Sequence, residues 1–155
     1  MPAASEPPAL PYTFRPLGVR IAVIAFGGVL FLVTAVIWLA FPPEIQAKFT
    51  LFQRLTVIAI GLAVAVAGYA LARSRIVARD DEVVVVNGYK TRRLEWNQVV
   101  AVSLTPGSPW AVLDLADGTS VPAMGIQGSD GSRATAQVRR FRLLLDQKTR
   151  TEQDD

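Results

Sequence analysis

Two stretches without a single charged side chain, residues 21–41 and 55–72, do most to limit what this chain can become. The first holds 21 residues rich in Val, Ile, Leu, Phe and Ala, and the second holds 18 between Arg54 and Arg73. At ~1.5 Å of rise per residue, each is long enough as a helix to cross a hydrocarbon core of ~30 Å. Pro42 and Pro43 end the first span, because proline lacks an amide donor and restricts the residue before it. Trp38 falls where interfacial aromatics are favoured. A secretory signal is the competing reading of residues 21–41. Its apolar run would exceed the roughly 7–15 residues of such a segment, and Trp38-Leu39-Ala40 is a poor cleavage site.

The expectation is therefore a transmembrane helical hairpin over residues 19–73, with a short connection that lets its helices pack directly on each other. Gly61, Ala65, Gly68 and Ala72 recur on one face of the second span, and Gly28 and Ala35 offer a matching surface on the first. Packing within the chain is preferred to dimerisation on this pattern, and a homo-oligomer stays open. Residues 1–18 begin with proline-rich sequence that cannot bury a core, and are expected to form a disordered tail.

The net charge of +3 would suggest a nucleic-acid partner if its basic residues were not gathered around the apolar runs. Arg15 and Arg20 precede the first span, Arg73, Arg75 and Arg79 follow the second, and only Lys48 and Arg54 lie between. That asymmetry predicts a two-span plasma-membrane protein with both termini and the soluble domain in the cytoplasm. No nucleic acid is called for. The chain has neither histidine nor cysteine, which removes the commonest general base, the commonest metal ligand and thiol chemistry. No cofactor, metal, small-molecule substrate or catalytic residue is expected.

After Ala72 the pattern changes to short β-branched runs separated by turn signals. Residues 83–86 lead through Asn87-Gly88 into residues 89–96, a hairpin that places Leu94 and Trp96 on one face and Arg93 and Glu95 on the other. Val100, Val102 and Leu104 alternate with Ala101, Ser103 and Thr105 as a half-buried strand. A second hairpin turns at Asp117-Gly118, with Leu113 and Leu115 inward on one strand and Val121 and Ala123 inward on the other. A final helix, capped by Ser129 or Asp130, aligns Ala134, Val138, Phe141 and Leu145 in one stripe, with Leu143 lying off it. Residues 149–155 read as a loose terminus.

The stretch Val-Val-Val-Val-Asn-Gly-Tyr-Lys-Thr-Arg-Arg-Leu-Glu-Trp at 83–96, followed by Asn97-Gln98-Val99, Pro109-Trp110-Ala111, Asp117-Gly118 and the glycine-rich segment 125–131, resembles the PH domain of the low-molecular-weight protein antigen 6 family of actinobacteria. The likeness covers roughly residues 75–146. It implies a PH-like barrel of about six antiparallel strands closed by a C-terminal helix, over a domain spanning 74–148, and it implies no catalytic activity. Phosphoinositide binding is not carried over. The loop joining the first two strands would be Asp80-Asp81-Glu82, whose carboxylates repel a phosphorylated headgroup.

Two basic groups are the candidate sites. Arg73, Arg75 and Arg79 suit anionic lipid at the bilayer surface, while Lys90, Arg92 and Arg93 suit either lipid or an acidic partner. The plainer account of the second group is a solvated strand face balanced by Glu95, and it is preferred. The segment 125–131 lacks the lysine and spacing of a phosphate loop and is better read as a turn and cap. Asp114 and Asp117 have no identifiable acid–base partner, and Trp96 and Trp110 are core or rim aromatics. The function expected is a non-enzymatic interaction module whose partners are the lipid bilayer and a membrane or membrane-proximal protein. The alternative is a structural subunit that assembles through its hairpin.

Overall fold

The computed structural model describes residues 6–154 and divides the chain into two compact units: residues 19–72, and residues 1–18 together with 73–155. The first unit is helical. Helix α1 (Gly18–Ala40) and helix α3 (Leu51–Ala72) are joined through a short helix α2 (Pro43–Lys48) that the sequence pattern had not predicted. Pro43 occupies the first turn of α2, where its missing amide costs no hydrogen bond. Helices α1 and α3 are long and apolar enough to cross a membrane, with mean hydropathies of 2.6 and 2.3.

The expected packing of the two spans on each other is hardly present. No residue of α1 or α3 is buried. A Cβ added to Gly68 would lie 3.0 Å from Val23 Cγ1, whereas one added to Gly28 or Gly61 would meet nothing within 4 Å. Of the three glycines on these small-residue faces, Gly68 alone comes this close to the other span. Leu, Val and Ile occupy most of the remaining surface and stand exposed, an arrangement suited to a lipid environment.

The second unit holds seven strands and one long helix: β1 (Tyr12–Phe14), β2 (Arg75–Ala78), β3 (Glu82–Asn87), β4 (Lys90–Glu95), β5 (Val99–Ser103), β6 (Trp110–Leu115), β7 (Ser120–Gln127) and α4 (Ser132–Asp154). They form two antiparallel sheets, β1-β2-β3-β4 and β5-β6-β7, and no closed barrel. A one-turn 3-10 helix, Trp96–Gln98, separates β4 from β5, and β5 then pairs with β6.

Six strands after the spans were anticipated; the seventh comes from the segment expected to be disordered. Tyr12, Thr13 and Phe14 pair with Ala78, Val77 and Ile76, and Phe14 is completely buried. Phe14 lies 4.8 Å from Tyr12 and 5.6 Å from Phe141 between ring centres, and Trp96 lies 5.9 Å from Phe141. The hairpin of helices is therefore inserted between two paired strands of one sheet. The disorder expected of residues 1–5 falls outside the described residues.

Helix α4 buries the expected stripe of Ala134, Val138, Phe141 and Leu145, and Leu144 beside it is fully enclosed. Leu143 is half-buried at the margin. The helix continues through residues expected to be a loose terminus, as far as Asp154, with residue 155 outside the described range. Arg142 fastens it to the sheet by donating from Nε and Nη2 to the Val102 carbonyl at 3.2 and 3.0 Å. Arg140 donates to the Tyr12 hydroxyl at 2.7 Å, so α4 also holds β1.

Two local expectations are corrected by backbone irregularity. A bulge between Val99 and Ala101 turns Val100 outward, at 62% exposure, while Val99 and Val102 face the core. One extra residue shifts the alternation on one side of it relative to the other, so Val99 and not Val100 shares the inward face with Val102. The first hairpin turns on Gly88-Tyr89 and not on Asn87-Gly88, since Asn87 pairs with Lys90 and Gly88 alone has positive φ, 58°. That shift frees the Asn87 side chain, which donates to the Pro122 carbonyl and accepts from the Met124 amide, tying the first sheet to β7.

Candidate functional site

The six basic residues singled out from the sequence all lie in the second unit, but the structure groups them differently. Strand alternation puts Arg75, Val77 and Arg79 on the outer face of the first sheet, while Ile76 and Ala78 enter the core. In register beside them on that face stand Glu82, Val84 and Val86 of β3, then Thr91, Arg93 and Glu95 of β4. Arg93 therefore belongs with Arg75 and Arg79. Lys90 and Arg92 alternate to the opposite side, in line with Leu94.

Glu82 organises the outer face. Its Oε1 lies 2.6 Å from Arg79 Nη1 and 3.0 Å from Arg93 Nη1. The carboxylate is largely shielded, whereas the Arg79 and Arg93 side chains remain 48% and 68% exposed. This corrects the expectation that Glu95 balances the cluster: the Glu95 side chain closes a capping box with Gln98 at the start of the one-turn helix. Cross-strand pairing over two residues, from Glu82 to Arg93, is invisible to a reading that follows the chain. Two carboxylates, Glu82 and Glu95, against Arg75, Arg79 and Arg93 leave the outer face with a small net positive charge.

Arg92 instead feels Asp117, whose carboxyl is held below the ordinary aspartate value. The largest cause is the Thr119 hydroxyl, followed by the Thr119 amide, with Arg92 contributing a smaller Coulombic pull. Both Thr119 bonds reach Asp117 Oδ1, at 2.7 Å from the hydroxyl and 2.9 Å from the amide. Asp114 accepts from the Ser120 hydroxyl at 2.8 Å. Both carboxylates thus fasten the β6–β7 hairpin. Arg73 stands half-buried, with its guanidinium 5.4 Å from the centre of the Tyr89 ring.

The glycine-rich segment 125–131 does several structural jobs. Residues 125–127 complete β7, and a Cβ on Gly125 would lie 2.6 Å from Ile76 N and 2.7 Å from Arg75 C, so β7 crosses β2 at contact distance. Asp130 does not cap α4 as expected. Its carboxylate accepts from the Leu17 and Gly18 amides at 2.9 and 2.8 Å, capping the start of α1. The two prolines and the arginine of residues 11–16 gave no sign of that long-range partner. Among the described residues no group of acidic side chains is placed to hold a metal ion.

Comparison with known proteins agrees with this architecture. Residues 73–144 match the family model described as the bacterial PH domain, and no enzymatic family is indicated. Over 87 residues the chain is 39% identical to uncharacterized proteins of Mycobacterium tuberculosis (Rv1417) and Mycobacterium bovis (Mb1452), covering 56% of this chain and 56% of each relative. The chain thus spans about half the length of the curated relatives it matches. No solved structure matches significantly.

Proposed function

Because residues 73–144 carry the bacterial PH domain, we propose that the chain is a membrane-anchored, non-enzymatic interaction module at the inner face of the plasma membrane. The observation that carries this reading is the insertion of the apolar hairpin between β1 and β2. These strands are hydrogen-bonded neighbours, so the chain leaves the domain after Phe14 and re-enters it at Arg75 with only residues 15–17 and 73–74 as links. At ~3.6 Å per residue at most, such links allow the domain no excursion into bulk solvent. Two paired strands also demand that both ends of the hairpin emerge on one side of the bilayer. The excess of arginine at those ends, against Lys48 and Arg54 in the connection, favours the cytoplasmic side.

Arg75, Arg79 and Arg93 on the outer face, with Arg73 near the membrane link, supply contacts for anionic headgroups. Lys90 and Arg92 are left to meet an acidic, membrane-proximal partner. The absence of cysteine makes the topology directly testable. Single cysteines replacing Lys48 or the exposed Ala136 are labelled with a membrane-impermeant maleimide in intact cells. Labelling of K48C from outside and protection of A136C until lysis is expected, and the reverse pattern overturns inner-face placement.

A second reading has its own support, because neither span buries a residue against the other. The hairpin then offers its surface to other spans, and the chain acts as a structural subunit. Exchange of the hairpin for an unrelated one of the same orientation separates the two readings. Co-purifying partners that persist favour the PH domain as the contact, and their loss favours the spans.

A further inference from the structure

At the end of the hairpin closed by α2, a crevice of about 600 Å³ opens between α1 and α3. Phe31, Trp38, Phe41, Phe49 and Val57 are among its walls, and Arg54 is the charged residue among the described lining. The aromatic residues hold one another: Trp38 meets Phe49 edge-on at 5.5 Å, and Phe41 stacks on Phe49 at 6.1 Å. Arg54 is fixed in place. Its Nη2 donates to the Gln46 carbonyl at 2.7 Å, its Nε donates to the Phe49 carbonyl at 3.1 Å, and its guanidinium lies 5.3 Å from the centre of the Trp38 ring. Gln46 in turn donates to the Trp38 and Phe41 carbonyls at the C-terminal end of α1, the first of which also accepts from the Phe41 amide.

Among the described residues no carboxylate forms an ion pair with Arg54, so a preorganised cation lines an apolar crevice without a counter-charge. Water fills such a crevice poorly, because apolar walls offer it no hydrogen bonds. A charge beside apolar walls is costly until an anion meets it. We propose that this crevice binds an anionic phospholipid, with an acyl chain against Trp38, Phe41 and Phe49 and the phosphate on Arg54. The held guanidinium loses little freedom on binding, which favours specific over passing contact. The proposal rests on the membrane reading above, although it does not depend on the orientation of the hairpin or on what the PH domain contacts.

The test uses Trp38 as reporter in the full chain reconstituted in vesicles. Acyl-brominated phosphatidylglycerol or phosphatidylcholine is titrated into unbrominated lipid, and a W38F variant supplies the fluorescence background of Trp96 and Trp110. Half-maximal quenching is expected at roughly fivefold lower mole fraction of the brominated anionic lipid, the preference that one cation near a headgroup confers. R54Q should bring the ratio to one while Trp38 remains quenchable, and R54K should keep most of the preference. A ratio of one in the unaltered protein, or a ratio unchanged in R54Q, overturns the lipid site and leaves the crevice to another span, a second copy of this chain included. Absence of Trp38 quenching by either lipid overturns the membrane reading itself.

Discussion

Replacing Phe14 by alanine tests whether the chain before the first span belongs to the core of the β-sheet unit. The ring is fully buried and packs on Tyr12 and on Phe141 of α4, which also meets Trp96. Truncating a buried phenylalanine costs ~3–5 kcal/mol through lost transfer energy and the cavity left behind. Each well-formed aromatic pair contributes ~0.5–1.5 kcal/mol within that sum. A domain of this size has ~5–15 kcal/mol of total stability, so the loss is a large share. At ~4–8 °C per kcal/mol, the melting temperature of the domain should fall by more than about 10 °C. The assay is thermal unfolding of the detergent-solubilised full chain followed by tryptophan emission, since Trp96 reports on the same cluster. Thr13→Ala, at an exposed position of the same strand, should stay within ~0.5 kcal/mol of the unaltered protein. A shift of less than about 2 °C for Phe14→Ala, or equal shifts for both variants, would refute the pairing of β1 with β2 as part of the core.

Gly125→Ala should cost ~1–3 kcal/mol or more, because the new Cβ would press on the backbone of Arg75 and Ile76, which cannot rotate away; denaturant midpoints of the solubilised chain measure the loss. Thr119→Val removes the hydroxyl bond that does most to depress the Asp117 carboxyl, so its titration, followed by carboxyl NMR, should move up toward the ordinary aspartate value. The depressed folded value means that this carboxylate contributes stability above the unfolded aspartate pKa and loses it as pH falls through the folded one; Thr119→Val should therefore flatten the acid limb of the stability profile.

The candidate surfaces were legible only in part. That Arg75, Arg79, Arg92 and Arg93 are exposed or half-exposed basic residues follows from composition and alternation along each strand. Their grouping does not. Arg93 joins Arg79 through Glu82 only because β2, β3 and β4 lie side by side in a particular register, and Arg92 meets the field of Asp117 because β7 and its turn come up beside the first sheet. Val100 shows the same limit on a smaller scale: a regular alternation predicted it inward, and a single bulge reversed it.

Features that repeat along the chain were determined by the sequence alone: two charge-free runs of helical length, the valine-rich β3, and the α4 stripe from Ala134 to Leu145. Each is a local periodicity that hydrophobic burial converts directly into an element and a face. Tertiary structure alone decided which distant segments would close on them. Phe14 enters the core across more than 60 residues of intervening chain, Asp130 caps a helix that begins more than 110 residues before it, and Asn87 joins two sheets. Such pairings carry no periodic signal, because they depend on where folded elements arrive in space and on buried polar groups finding whatever partner is then within reach.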